Sequence, residues 1–127
     1  MLSSFLARFG LGRRSTVTFA PQAGQLVSVL CEDGRFAVMK LLATDRHGVH
    51  VRLYAQRFDS RPSGLDPSTL SIGAFAPGSD VPFSIGHMPL RTASFARWQP
   101  EPIAEEPVSE AELEGFRSWQ EARGGYF

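Results

Sequence analysis

Residues 35–58, RFAVMKLLATDRHGVHVRLYAQRF, decide the fold. They read as two β-strands, 35–44 and 49–56, joined by a tight turn at Asp45-Arg46-His47-Gly48. In the second strand Val49, Val51 and Leu53 point one way and His50, Arg52 and Tyr54 the other, because successive side chains alternate across a sheet. The first strand is apolar on both sides. Ala37, Met39 and Leu41 form one set; Phe36, Val38 and Leu42 form the other, with Lys40 its one polar member. A strand wetted on one side would alternate more cleanly, so a further element must cover the second set.

Upstream, Gln25–Cys31 reads as a strand and Glu32-Asp33-Gly34 as a hairpin turn, since Gly34 tolerates the positive φ that an Asp-Gly turn needs. The three strands make a meander. Thr16–Phe19 is β-branched enough to predict a short strand before it. The stretch 57–80 is rich in proline, glycine, serine and aspartate. It is broken by Leu70-Ser71-Ile72, which has the composition of a short strand. A loop of that length in a small domain is either functional or loosely packed. Val81–Ile85 predicts the last strand, closing at Gly86. His87-Met88-Pro89-Leu90 then leads into a short helix over Thr92–Trp98, bracketed by Pro89 and Pro100. Gln99–Val108, QPEPIAEEPV, reads as an extended connector.

The clearest local pattern is the last helix, over 109–123. Ser109 and Glu112 make a capping box, in which hydroxyl and carboxylate each satisfy an orphan amide. Acidic residues fill the first turn, where the helix dipole favours them. Leu113, Phe116 and Trp119 fall on one stripe, and Gly124-Gly125 ends the helix. That stripe is the expected cover for the two-sided strand. The fold class that follows is α+β, mainly β: a small bent antiparallel sheet, or an SH3-like partly open barrel, of about five strands with C-terminal helices. One domain spans 15–127, after an N-terminal leader, 1–14.

The chain has 127 residues and a formal net charge of zero. Residues 1–100 carry eleven Lys/Arg against six Asp/Glu, and residues 101–127 two against seven. An acidic C-terminal segment, at −5, thus follows a mildly basic body, at +5. This balance argues against a strongly basic nucleic-acid binder. The leader, MLSSFLARFGLGRR, has the reverse order of a secretory signal, and no apolar run reaches the ~20 residues of a membrane span. The single cysteine, Cys31, excludes an intrachain disulfide and suits a cytoplasmic protein.

No P-loop, GxGxxG, GxSxG, HExxH or paired CxxC is present, and no cofactor or metal is expected. Asp45, His47 and His50 are close in sequence but straddle a turn and need not converge on a metal. His87, in the apolar run Ile85–Leu90, reads as a structural histidine or as a general base. Base catalysis would need a partner in hydrogen-bond reach, for which a loop aspartate is the candidate. His50, Arg52, Tyr54, Arg57 and Arg61 form the expected binding surface, because arginine and aromatic side chains together mark many interfaces.

The stretch GRFAVMKLLATDRHGVHVRLYAQRF, followed by IGHMPL, SFARW and the acidic-capped ELEGFRSW, resembles a group of small bacterial β-barrel proteins over most of residues 22–127. No activity comes with that resemblance. The opening is also similar to bacterial toxin-immunity proteins, through Val27–Val29, Asp33-Gly34-Arg35-Phe36 and Val38–Leu42. That similarity implies no site residues. The expectation is a non-catalytic protein-binding module, immunity-like in the second resemblance. Its alternatives are a small hydrolase-like enzyme using His87 and a weak nucleic-acid-binding barrel.

Overall fold

The structure, a computed structural model, describes residues 16–73 and 82–127. Five strands form one open antiparallel sheet: β1 (Gln25–Leu30), β2 (Phe36–Thr44), β3 (Gly48–Leu53), β4 (Ile85–Arg91) and β5 (Glu101–Glu105), in the order β4-β3-β2-β1-β5. Helix α1 (Thr92–Arg97) follows β4. A 3-10 turn at Ala111–Leu113 runs into the terminal helix α2 (Glu114–Glu121). The class is therefore α+β and mainly β, as the sequence implies. The meander β1–β2–β3 forms with Gly34 at φ +86° in its first turn.

Four local expectations change. Thr16–Phe19 is not a strand, although Val17 and Phe19 still pack on the core. Leu70–Ile72 is not one either: Pro67–Thr69 is a 3-10 turn, and Ser71 O takes one bond from Ala55 N. The strand predicted at 81–85 instead begins at Ile85 and runs through Gly86, His87 and Pro89 to Arg91; Val81, like the leader 1–14, lies outside the described residues. The connector 99–108 contains β5, which pairs with β1. Prolines discouraged both strand readings, yet β4 and β5 are the two edges of the sheet, where a missing N–H is tolerated.

The register puts Val27, Met39 and Leu53 on one face and Leu26, Lys40 and Arg52 on the other. The first face carries the main core: Val27, Val29, Ala37, Met39, Leu41, Val51 and Leu53, capped by Phe95 of α1, all essentially without solvent exposure. The second face is covered in two parts. Over β1 and β2, Leu26, Val38 and Tyr54 meet Phe58, Leu65 and Leu70 of the long loop. Over β3 and β4 the cover is the C-terminal segment. The two-sided strand is thus covered as its composition demands, but the loop shares the work expected of the helix.

The capping box forms as predicted: Ser109 N donates to Glu112 Oε1 at 2.8 Å and Glu112 N to Ser109 Oγ at 3.2 Å. At the other end of α2, Gly124 N donates to Trp119 O and Arg123 N to Gln120 O. This is the double bond pattern of a Schellman turn. The left-handed residue is Arg123, at φ +52°, not a glycine. Gly124 serves a different purpose, since a Cβ there would sit 2.3 Å from the Trp119 ring.

Candidate functional site

Alternation along β3 sends His50, Arg52 and Tyr54 to the second face, as read from the sequence, but that face is closed. His50 is 1% exposed, Tyr54 is buried and Arg52 is half-buried. The expected open binding surface is therefore corrected. His50 and Arg52 are taken up by two polar clusters that hold the C-terminal segment to the sheet, and Tyr54 packs under the long loop.

The first cluster centres on Lys40, which lies beside Arg52 across the β2–β3 pair. Two neighbouring cations on one sheet face repel unless carboxylates intervene. Lys40 Nζ donates to Glu106 Oε1 at 2.8 Å, Pro107 O at 2.8 Å and Glu112 Oε1 at 3.0 Å, which uses all three of its protons. Arg52 lies 3.8 Å from the other oxygen of Glu112 and donates to Gly86 O. Burial alone would raise the Glu112 pKa. The bonds from Ser109 and Lys40 outweigh it and bring the carboxyl below its usual range. Tyr54 is pushed up to about 12 by burial and then by the Glu112 charge, so it remains a phenol.

The second cluster is a chain of four side chains: Asp45, Tyr126, His50 and His87. His50 Nδ1 is 2.9 Å from His87 Nε2, and His50 Nε2 is 2.8 Å from the Tyr126 hydroxyl, which bonds Asp45 Oδ2. Proton bookkeeping fixes the direction. Tyr126 donates to the Asp45 carboxylate, so its oxygen accepts from His50 Nε2–H; His50 Nδ1 then accepts from His87 Nε2–H. Asp45 Oδ1 takes the backbone amides of His47 and Gly48 at 2.7 and 3.0 Å. Burial would raise the Asp45 pKa, but the Tyr126 hydroxyl and these amides lower it on balance. Burial, and then the same bond, raise Tyr126. Burial, then the charge of His87, lowers His50 to about 4, and burial lowers His87.

Around His50 the rings of Phe116 and Trp119 stand edge-on at 4.6 and 4.4 Å. The predicted helix stripe therefore docks on histidine rather than on the aliphatic set of β2. Trp119 also donates Nε1–H to Gly125 O at 2.9 Å. A Cβ at Gly115 would sit 2.7 Å from that of His87, so only glycine lets α2 approach β4 this closely. Trp119→Ala is expected to cost about 2 kcal/mol, less than a fully buried tryptophan because the ring stays partly wet. A thermal melt that matches wild type would remove the docked helix from the account.

Arg57 and Arg61 do not join this site. Arg57 donates to Tyr54 O, Ala55 O, Gln56 O and Phe83 O, stapling the end of β3 to the segment before β4. Arg61 donates to Ser28 O, Ser28 Oγ and Gln99 O, pairs with Glu101 at 3.2 Å and lies over the Phe36 ring. Both are structural struts. Among the described residues no group of three His, Cys, Asp or Glu side chains gathers to hold a metal. Asp45 and His50 are separated by Tyr126.

A surface that sequence reasoning missed lies on the opposite face. At the β1–β2 turn a cleft of about 430 Å³ has Leu53, Trp98 and Cys31 among its lining. Pro82, Phe83 and Arg57 line it from one direction, and Glu32, Asp33 and Arg35 from the turn. Phe83 is 65% exposed. Burial raises the Cys31 thiol despite nearby Arg57, which keeps it protonated and unreactive at neutral pH.

No family model, curated protein or solved structure matches this chain. No helix among the described residues is long and apolar enough to cross a membrane.

Proposed function

We propose that the protein is a non-catalytic, SH3-like module that binds a partner protein in the cytoplasm through the cleft at the β1–β2 turn. The exposed Phe83 beside a partly apolar cleft carries this reading. A large aromatic on the surface, next to a recess edged by opposite charges, is the anatomy of an interface hot spot. Asp33 and Arg35 supply part of that edge and pair with each other at 2.9 Å. They belong to the Asp33–Phe36 turn that resembles toxin-immunity proteins, which makes a cognate toxin one concrete form of the partner.

The polar chemistry on the other face supports the same reading. The His50–His87 pair spends its hydrogen bonds fastening the C-terminal segment, with Gly115 seated against His87. Arg57 and Arg61 are bound to carbonyls rather than held out for phosphates. The test is affinity capture from the native host with the full chain as bait. Wild type is expected to retain a saturable partner that Phe83→Glu loses by at least about tenfold, a change of 1.4 kcal/mol, while both melt alike. Capture that is indifferent to Phe83, or no specific capture, would overturn the proposal.

A further inference from the structure

The C-terminal helix is attached in an unusual way. α2 has eight residues, none of them fully buried, and a helix of that length is marginal by itself in water. Its attachment depends on a few points: the Glu112 carboxylate on Lys40 and Arg52, the His50–Tyr126 bond with its ring of aromatics, and Phe127. The last residue donates to Pro89 O and accepts from Arg91 N at the free edge of β4. The chain before it is anchored separately. Glu106 N donates to Gly24 O, and Glu106 Oε1 and Pro107 O both hold Lys40. A hinge at Pro107-Val108 would therefore let the segment lift while Lys40 keeps two of its three acceptors and the main core stays intact.

The histidine pair supplies the trigger by proton counting. In this bonding pattern both histidine rings are neutral, with one N–H between them. A first added proton goes to His87 Nδ1, which has no partner among the described residues, and breaks nothing. A second must go to His50 Nδ1. Two N–H groups and two positive charges would then face each other across 2.9 Å. The pair titrates as a unit, and its second protonation is incompatible with the closed geometry. The other groups around it do not rescue it. Tyr126 is already committed to Asp45, and the His47 ring, 6.4 Å from Tyr126, carries no negative charge. Lys40 and Arg52 are cations, and Glu112 is shared between them. Phe116 and Trp119 bring no charge.

We propose that residues 108–127 form an acid-released clasp, opened when the His50–His87 pair takes up its second proton, which bares the Lys40–Arg52–His50 face of the sheet while the rest of the fold persists. The sign follows from linkage. A histidine whose closed-state pKa is depressed stabilises the closed state above its ordinary value near 6.5, and that stabilisation is lost as pH falls toward about 4. At pH 5 this amounts to roughly a 30-fold shift toward the open form, from those two values.

Hydrogen exchange of the full chain between pH 8 and pH 4.5, corrected for the intrinsic rate, tests the proposal. Protection of 114–127 is expected to fall by roughly 30-fold at pH 5, with β1, β2 and α1 unchanged. His87→Gln keeps a side-chain donor to His50 but cannot charge, and is expected to weaken this response by the share that the second charge contributes, the burial of His50 supplying the rest. Simultaneous loss of protection in β1–β3 would show global acid unfolding and overturn the clasp. So would a wild-type-like response in His87→Gln, or a pH-independent profile.

Discussion

Lys40→Ala is expected to destabilise the protein by about 3–5 kcal/mol, the range for removing one member of a buried charge cluster. The lysine is 1% exposed and its ammonium is the common donor to Glu106, Glu112 and Pro107 O. Removing it leaves Glu112, itself largely buried, with Arg52 at 3.8 Å as its remaining cation. Glu106 is nearer solvent and can turn outward. The loss therefore falls chiefly on Glu112 and on the cavity left by the lysine stem. A melting temperature lower by roughly 10–20 °C would follow for a domain of this size. Neutralising Glu112 in the same chain should restore part of it, because the uncompensated charge, not the missing bond, is the larger cost. A Lys40→Ala protein as stable as wild type would mean that the ion cluster does not hold the second face closed.

Gly48→Ala is the other large effect. Gly48 opens β3 opposite Arg91, and a Cβ at this position would lie 2.0 Å from the Leu90 carbonyl oxygen. The clash is with backbone in the neighbouring strand, so no rotamer change relieves it. Overpacking of this kind costs typically about 1–3 kcal/mol and more when backbone must move. Separation of β3 and β4 here would also disturb the Asp45 turn, because Gly48 N is one of the donors to Asp45 Oδ1. We expect a loss of about 3 kcal/mol or more in denaturant unfolding. A wild-type midpoint would contradict the β3–β4 register.

Local chemistry made part of this architecture legible. The Asp33-Gly34 turn, the Ser109–Glu112 box and the alternation of Val49–Tyr54 are decided by residues adjacent or one helical turn apart, and each formed as read. β4 and β5 were illegible because their prolines argue against a strand unless it lies at an edge, and edge position is a property of the finished sheet. The closure of the His50–Arg52–Tyr54 face was partly legible. Lys40 and Arg52 fall in register once the hairpin is drawn, and a pair of cross-strand cations calls for the acids that the −5 tail supplies. The role of Tyr126 gave no signal, because it joins Asp45 across 81 residues of sequence. The cleft at Phe83 was equally hidden, being assembled from four separated segments.

The central claim is that the polar face of β3 is sealed by the C-terminal segment through the Asp45–Tyr126–His50–His87 chain. Nitrogen-15 NMR of the histidine rings tests it most directly. At pH 7 His50 is expected to be neutral in the Nε2–H form, with that proton slow to exchange and Nδ1 accepting a hydrogen bond from His87. A His50 ring in rapid exchange between tautomers, titrating near the ordinary value of about 6.5, would contradict it.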